Sequence, residues 1–592
     1  MSRMGRYLKE GQKPNYDKFP VVQVPHYEDS CTCGWDAIMA QLDGRLRSES
    51  CHLLVVECYQ GVLDKEVLSA LGKAFPGAAL YLSADAMKPE AQLYDILKDD
   101  ITDDEVFGYL TRRTIDVYFD PAKVEAMRAK IASDGHPLRI VYGVGASWIA
   151  DSPSLLVYLD MARWEIQMRF RRNEVSNVGF DNASRRASLQ YKQAFFVDWR
   201  ILDRWKKKLW KRMDYILDTN VAGDPKMIPA EAFFAGLDEA ASRPFRVVPY
   251  FDPGVWGGQW MKEVCDLDKD KVNFAWCFDC VPEENSLYLG FGDKRVEIPS
   301  IDLVFTHPVE LLGPNVYGRF GDEFPIRFDF LDTMGGGNLS LQVHPLIEYI
   351  QEKFGMHYTQ EESYYLLDAE PDACVYLGVK SGTDPGEMIT ALRDAQKTGS
   401  FDAEKYVGRY PVGKHDHVMI PPGTIHCSGA GSMVLEISAT PYIFTFKLWD
   451  WGRVGLDGRP RPINVEHGKN VIQWERDEKW VRREGINNFT PIASGEGWSE
   501  EKTGLHEREF IETRRHRFDR KLTFRTDGGV QVMNLVEGRE AIVESPTGAF
   551  KPFVVHYAET FIIPASVGEY TISPYGETAG QEIMTIKASV RK

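Results

Sequence analysis

The chain has 592 residues, too many for one hydrophobic core and enough for three or four domains. Its 43% hydrophobic and 27% charged residues fit a soluble globular protein, and its net charge of -17 argues against a general nucleic-acid binder, which needs basic surface to neutralise phosphates. No apolar run approaches the roughly 20 residues that cross a bilayer, and the opening MSRMGRYLKEGQKPNYDKF has no apolar leader core, so a cytoplasmic protein without membrane or nucleic-acid partners is expected. The nine cysteines are odd in number and scattered, as reduced thiols would be. Cys31 with Cys33 and Cys277 with Cys280 lack the second ligand pair of a zinc ribbon and read as incidental or buried thiols.

To about residue 240 strand-like runs alternate with helical patterns: HLLVVECYQG, then DKEVLSALGKAF, then ALYLSADAM, and later LRIVYGVGAS before LLVYLDMARWEIQMRFRRN. Alternation of this kind predicts an α/β layer on a parallel sheet over residues 1–240. The stretch HPLRIVYGVGASWIADSPSLLVYLDMARWEIQMRFRRN resembles uridine-kinase-like P-loop proteins, which would place HLLVVECYQGVLDKEVLSAL where their phosphate loop lies. Of the features that cradle phosphate there, only Gly61 and Lys65 remain, so an α/β domain without nucleotide binding is expected. The charged runs RRNEVSNVGFDNASRR and WKKKLWKRM read as solvated helix faces.

From about Arg243 the pattern changes to short β-prone runs cut by Gly and Pro, such as NSLYLGFGDKRVEIPS, YYLLDAEPDACVYLGVKSG and SMVLEISATPYIFTFKLWDWG. This predicts antiparallel sandwich or barrel architecture over 241–455, with a helical insert near 384–407 opened by Asp384-Pro385-Gly386. A linker and a second β domain are expected over 456–592, where VQVMNLVEGREAIVES and ETFIIPASVGEYTIS recur in the same style.

In GGGNLSLQVHP (Gly335 to Pro345), Leu339, Leu341 and Val343 would share one strand face, and Ser340, Gln342 and His344 the other. Glu362 opens a β-prone run and His426 follows a Pro-Pro-Gly turn. Gln342, His344, Glu362 and His426 together make a mixed N/O set that zinc or another divalent transition metal accepts, with a position left for water or substrate.

LSLQVHP, ESYYLLDAEPDACVYLG, IPPGTIHCSGAGSMVLEIS and KLWDWGR, in this order, resemble the type I mannose-6-phosphate isomerases, zinc-dependent enzymes of the cupin fold. The likeness starts at FRVVPYFDPGVWGGQWM and reaches FIIPASVGEYTI, which is similar to the family's second cupin. It implies a cupin fold (double-stranded β-helix, or jelly roll), Gln342, His344, Glu362 and His426 as zinc ligands, and isomerisation of a small-molecule sugar or sugar phosphate through an enediol.

The chain departs from that family in the layer around the metal. Gln360-Glu361-Glu362 replaces Lys-Thr-Glu, Lys447 stands for an arginine, Leu346 for an acid, and Asp329 for a lysine thought to contact phosphate. Asp329 would repel a phosphate dianion unless Arg327 or Arg453 compensates. The expected roles are Lys447 as the cation near the enediolate, Glu436 as base or orienting carboxylate, and Ser340 with Arg453 as substrate or phosphate contacts. An isomerase of an unphosphorylated or different sugar, and a sugar-sensing metal-binding cupin without turnover, stay open as alternatives.

Overall fold

The computed structural model describes residues 7–8, 11–48, 52–439, 442, 444–456, 458, 461–504 and 507–591. In chain order β1 (Val21–Gln23) and β2 (Thr32–Cys33) lead to β3 (Leu53–Cys58), β4 (Ala79–Leu82), β5 (Arg139–Gly143), β6 (Leu155–Asp160), β7 (Tyr215–Asp218) and β8 (Lys226–Pro229). One sheet runs β2-β8-β7-β6-β3-β5-β4, with β7, β6, β3, β5 and β4 parallel and β8 and β2 antiparallel at one edge. LLVVEC and LLVYLD are apolar almost throughout because strands of a parallel sheet covered on both faces have no wet side. The turn from β3 into the helix Asp64–Ala74 passes through Gly61 at φ +98°, and a Cβ there would meet Ile166 Cγ1 at 2.9 Å. Gly61 thus serves close packing of backbone against Ile166.

β9 (Tyr250–Asp252), β10 (Trp276–Cys280), β11 (Ser286–Phe291), β12 (Lys294–Pro299), β13 (Arg327–Asp332), β14 (Leu341–Val343) and β15 (Glu362–Ala369) follow. Then come β16 (Cys374–Val379), β17 (Val407–Pro411), β18 (His417–Ile420), β19 (His426–Ser428), β20 (Ser432–Ser438) and β21 (Phe446–Trp449). Among the described residues two antiparallel sheets, β18-β15-β20-β13-β10-β9 and β17-β16-β19-β14-β21, make up most of this unit, and β11 and β12 pair in a third, β1-β11-β12. The insert is the helix Pro385–Thr398, capped by Asp384 accepting from Glu387 N at 2.7 Å, started by Pro385 and stopped by Gly399 at φ +70°. β1 crosses over to pair in parallel with β11, so the N-terminal segment is stitched to this unit. The tail builds two further sheets around its own buried cluster, which includes Phe518, Leu535, Val543 and Tyr570.

Cys31, Cys33, Cys277 and Cys280 are free thiols, as the spacing suggested. The charged helix departs from expectation at Lys206, which is fully buried: its Nζ reaches Asp160 at 2.8 and 2.9 Å and Asp302 at 2.7 Å. Among the described residues no helix is long and apolar enough to cross a membrane.

His417, 1% exposed on β18, bonds Ser363 Oγ at 2.9 Å through Nε2. Burial, helped by Arg515, pushes its pKa down to about 3. Above about pH 6.5 the ring is neutral folded or unfolded and contributes nothing; below it the unfolded chain takes up the proton and the native state does not, so stability falls with pH. The native state is expected to lose about 2 kcal/mol from this group between pH 7 and pH 5. Thermal melts of wild type and His417→Leu at both pH values check this: the wild type should lose more, and parallel losses would remove His417 as the cause.

Candidate metal centre

β14 is shorter than the alternation in GGGNLSLQVHP suggested, covering Leu341–Val343, with Ser340 and His344 just outside it. Both neighbours are nonetheless buried, so the polar side of this segment faces the interior and not bulk water. Gln342 lies in register with His426 on β19 and with Lys447 on β21, and residues directly opposite one another in a sheet share a face. Glu362, the first residue of β15, comes from the facing sheet. His344 Nε2 contacts Glu362 Oε2, His426 Nε2 lies 3.2 Å from that same oxygen, and the Gln342 amide is 3.2 Å from His426 Nε2. One ligand atom from each of His344, Glu362 and His426 falls within 4.8 Å of the others, and all three side chains have no exposure.

This donor set fits a divalent metal. His344 Nδ1 is 2.8 Å from the Phe444 carbonyl and His426 Nδ1 is 2.9 Å from the Thr424 carbonyl, which turns both Nε2 atoms toward the centre. A backbone carbonyl on the outer ring nitrogen is the arrangement that orients metal-binding imidazoles. Glu362 Oε1 is buried and has no hydrogen-bond partner among the described residues, as an oxygen awaiting a cation would be. Burial would raise the Glu362 carboxyl, but His344 and His426 hold it below the usual carboxylate range.

Two differently charged walls flank the cluster. Along the inner face of the six-stranded sheet, Tyr364, Glu436, Asp329, Phe278 and Tyr250 are successive cross-strand neighbours on β15, β20, β13, β10 and β9. Glu436 accepts from Ser438 Oγ at 2.8 Å and from Gln360 Nε2 at 3.4 Å, and burial with the charge of Glu362 raises its pKa well above normal. Asp329 is 1% exposed and paired with Arg327, and burial brings it up to about 6. The arginine on its own strand therefore compensates it. On the opposite wall Ser340 Oγ donates to Asp450 at 2.8 Å, and Asp450 also binds Arg453 at 2.7 Å and Arg461 at 2.8 Å. Lys447 stands beside this group, and burial followed by Arg461 pushes it down to about 7.

The fold thus brings all eight expected site residues into one neighbourhood: Gln342, His344, Glu362 and His426 in the centre, Glu436 on the acidic wall, Lys447, Ser340 and Arg453 on the basic one. Sequence reasoning missed Arg461 and Asp450. Asp450 sits inside the motif KLWDWGR, where its carboxylate could have been read as the partner of Arg453 three residues on.

Residues 34–242 match a family model described as a domain of unknown function (DUF8485). The mannose-6-phosphate isomerase ManA of Bacillus subtilis (strain 168) is 25% identical over 238 residues, 39% of this chain and 69% of the relative. The mannose-6-phosphate isomerase of Streptococcus mutans serotype c is 25% identical over 248 residues, 40% of this chain and 72% of the relative. Among solved structures, the mannose 6-phosphate isomerase from Bacillus subtilis aligns with 58% of this chain and 99% of its own at a TM-score of 0.48 and 19% identity.

Proposed function

We propose that the chain is a metal-dependent aldose–ketose isomerase of the mannose-6-phosphate isomerase type. The observation that carries this reading is the buried His344–Glu362–His426 cluster with Lys447 on one flank and Glu436 on the other. The activity of the relatives supports it. Gln342, His344, Glu362 and His426 are the proposed ligands, with zinc the first candidate for such a set. A divalent ion, when bound, would polarise the substrate carbonyl and ease negative charge on its oxygen.

The remaining work falls to side chains. Glu436 takes the proton from C2 of the aldose and returns it to C1; between these transfers the C2 hydroxyl gives up its proton and the C1 oxygen gains one, relayed by Lys447, so that the carbonyl moves from C1 to C2 by way of the enediol. A carboxylate made more basic by burial and by acidic neighbours suits that task. Lys447 donates to the oxygen that carries the developing charge, in a dry site where such a contact is strong. Ser340, Arg453 and Arg461 are proposed to face the phosphate. A second reading, an uncharged sugar, draws on Asp329, whose carboxylate stands in the opposite wall.

We assign these roles to a catalytic cupin unit over 241–455, followed by a linker and second cupin over 456–592. The α/β unit over 1–240 is taken as a P-loop-kinase-like layer, a reading supported by the central place of β3 among its parallel strands, and its lack of nucleotide binding is proposed from the loss of all but Gly61 and Lys65 from the phosphate loop.

The test is an isomerase assay on metal-replete protein with mannose 6-phosphate, fructose 6-phosphate, mannose and fructose. Turnover of the phosphosugars is expected. Turnover of free sugars alone would select the second reading, and silence on all four with metal bound would sink the isomerase reading. Lys447→Ala is expected to lower kcat by roughly a hundredfold with metal content unchanged. Full activity in that variant, measured beside its bound metal, would take Lys447 out of the mechanism.

A further inference from the structure

In the tail the strands Ile511–Phe518, Ile583–Val590 and Gln531–Glu537 lie side by side in one antiparallel sheet. Phe518, Ile583, Met533 and Leu535 belong to the buried cluster of this unit, so residues two, four and six places along from them share its inner face. That face turns polar toward one end. Leu535, Thr585 and His516 form one cross-strand row, Met533, Lys587 and Arg514 the next, and Gln531, Ser589 and Glu512 the last. The facing sheet confirms the direction, since Phe524 packs edge-on against His516 at 5.0 Å and its ring centroid is 5.8 Å from Lys587 Nζ. The polar end opens into a cavity of about 680 Å³, closed on its other side by Asn315, Val316 and Arg319 of the helix Pro314–Phe320 from the preceding unit.

We propose that this cavity is a second ligand site, separate from the metal centre, that takes a small phosphate monoester, with Lys587 and Arg319 as its charge contacts. The charge balance of the lining carries this. Glu512 accepts from Arg514 Nε at 2.6 Å and from Arg591 Nη1 at 2.8 Å, and Asp527 at the rim lies 3.6 Å from Arg525 Nε, so both acids of the cavity have an arginine of their own. Lys587 and Arg319 have no hydrogen-bond or ion-pair partner among the described residues; Arg319 rests only on the rings of Phe320 and Phe510, each 5.1 Å from its guanidinium. Two uncommitted cations match a phosphate dianion better than a singly charged carboxylate. One row below Lys587, Thr585 Oγ1 and His516 Nδ1 are also buried without a partner among the described residues, where hydrogen-bonding capacity is seldom left unused. The volume exceeds what an inorganic phosphate needs, and Ser589, Gln531 and Asn315 offer polar groups to the hydroxyls of an attached polyol.

The experiment is isothermal titration of the full-length, metal-loaded protein with sorbitol 6-phosphate, a phosphate monoester without a carbonyl to isomerise. The wild type is expected to bind one more molecule per chain than Lys587→Met or Arg319→Ala, each of which should weaken that event by roughly tenfold or more. Lys587→Arg, which keeps the charge, should restore it, and metal content and kcat should stay at the wild-type level in all three. Arg319 is exposed, so its removal leaves the core intact and keeps the test open even where Lys587→Met lowers the Tm. Free sorbitol should not produce the extra event. The same stoichiometry and Kd in the wild type and both charge-removing variants, or equal binding of free sorbitol, would overturn the proposal. A wild type that turns over none of the four sugars but loses one bound ligand on Lys587→Met would sink the isomerase reading and leave this site standing.

Discussion

His344→Ala is expected to take the protein from one bound divalent ion per chain to none, and to lower isomerase turnover by roughly a thousandfold or more. The imidazole supplies one of two nitrogens in the cluster, and its partner Glu362 sits with no exposure in the facing sheet. Without His344 that carboxylate keeps only His426 against the cost of burial, and the Phe444 carbonyl loses the ring nitrogen 2.8 Å away. Metal analysis by mass spectrometry on the purified variant, beside the sugar assay, gives the result directly. A second readout does not depend on catalysis: a chelator should lower the Tm of the wild type and leave that of His344→Ala where it was, since bound metal stabilises only the state that binds it. A variant with a full complement of metal and undiminished turnover would move the metal centre elsewhere.

How much of this centre could be read from the sequence follows from how local each residue's signal is. Gln342 and His344 were legible because strand alternation separates them from Leu341 and Val343; the structure buries all four, with His344 and Gln342 turned to the cluster. The short strand β14 did not need to reach Ser340, because the hydroxyl is held by Asp450 instead of by a ladder. The start of the helical insert was legible, since Asp384 and Pro385 each carry a conformational preference of their own, but the stretch expected to run to 407 is broken at Gly399 into the helix Pro385–Thr398 and a short second helix, Ala403–Tyr406. Arg461 was not. It reaches Ser340 from 121 positions away. Nothing in its neighbours marks it, because what selects it is a partner brought near only by the fold.

Lys206 lies between these cases and sets the second large effect: Lys206→Met is expected to destabilise the protein by about 3–5 kcal/mol. Read as one of three consecutive lysines it looks solvated, but Trp199, Leu202 and Asp203 stand seven, four and three positions before it, on one face of the helix Trp199–Leu209 that is buried along its length. Its ammonium joins Asp160, the last residue of β6, to Asp302 in the helix Ile301–Thr306 of the following unit. Methionine fills similar volume and leaves two buried carboxylates facing each other, where burial and Asp160 already raise the Asp302 pKa well above normal. The loss therefore comes from stranded charge more than from lost packing. Adding Asp160→Asn and Asp302→Asn to Lys206→Met should restore most of the stability, since an apolar or neutral replacement of a whole buried ion cluster is often tolerated. Urea unfolding of the single and triple variants distinguishes the causes: recovery in the triple assigns the cost to the charges, whereas an equally weak triple would assign it to packing. Because Asp160 and Asp302 belong to different units, the single variant should also expose the β6–β7 region to amide hydrogen exchange before the metal-binding sheets open.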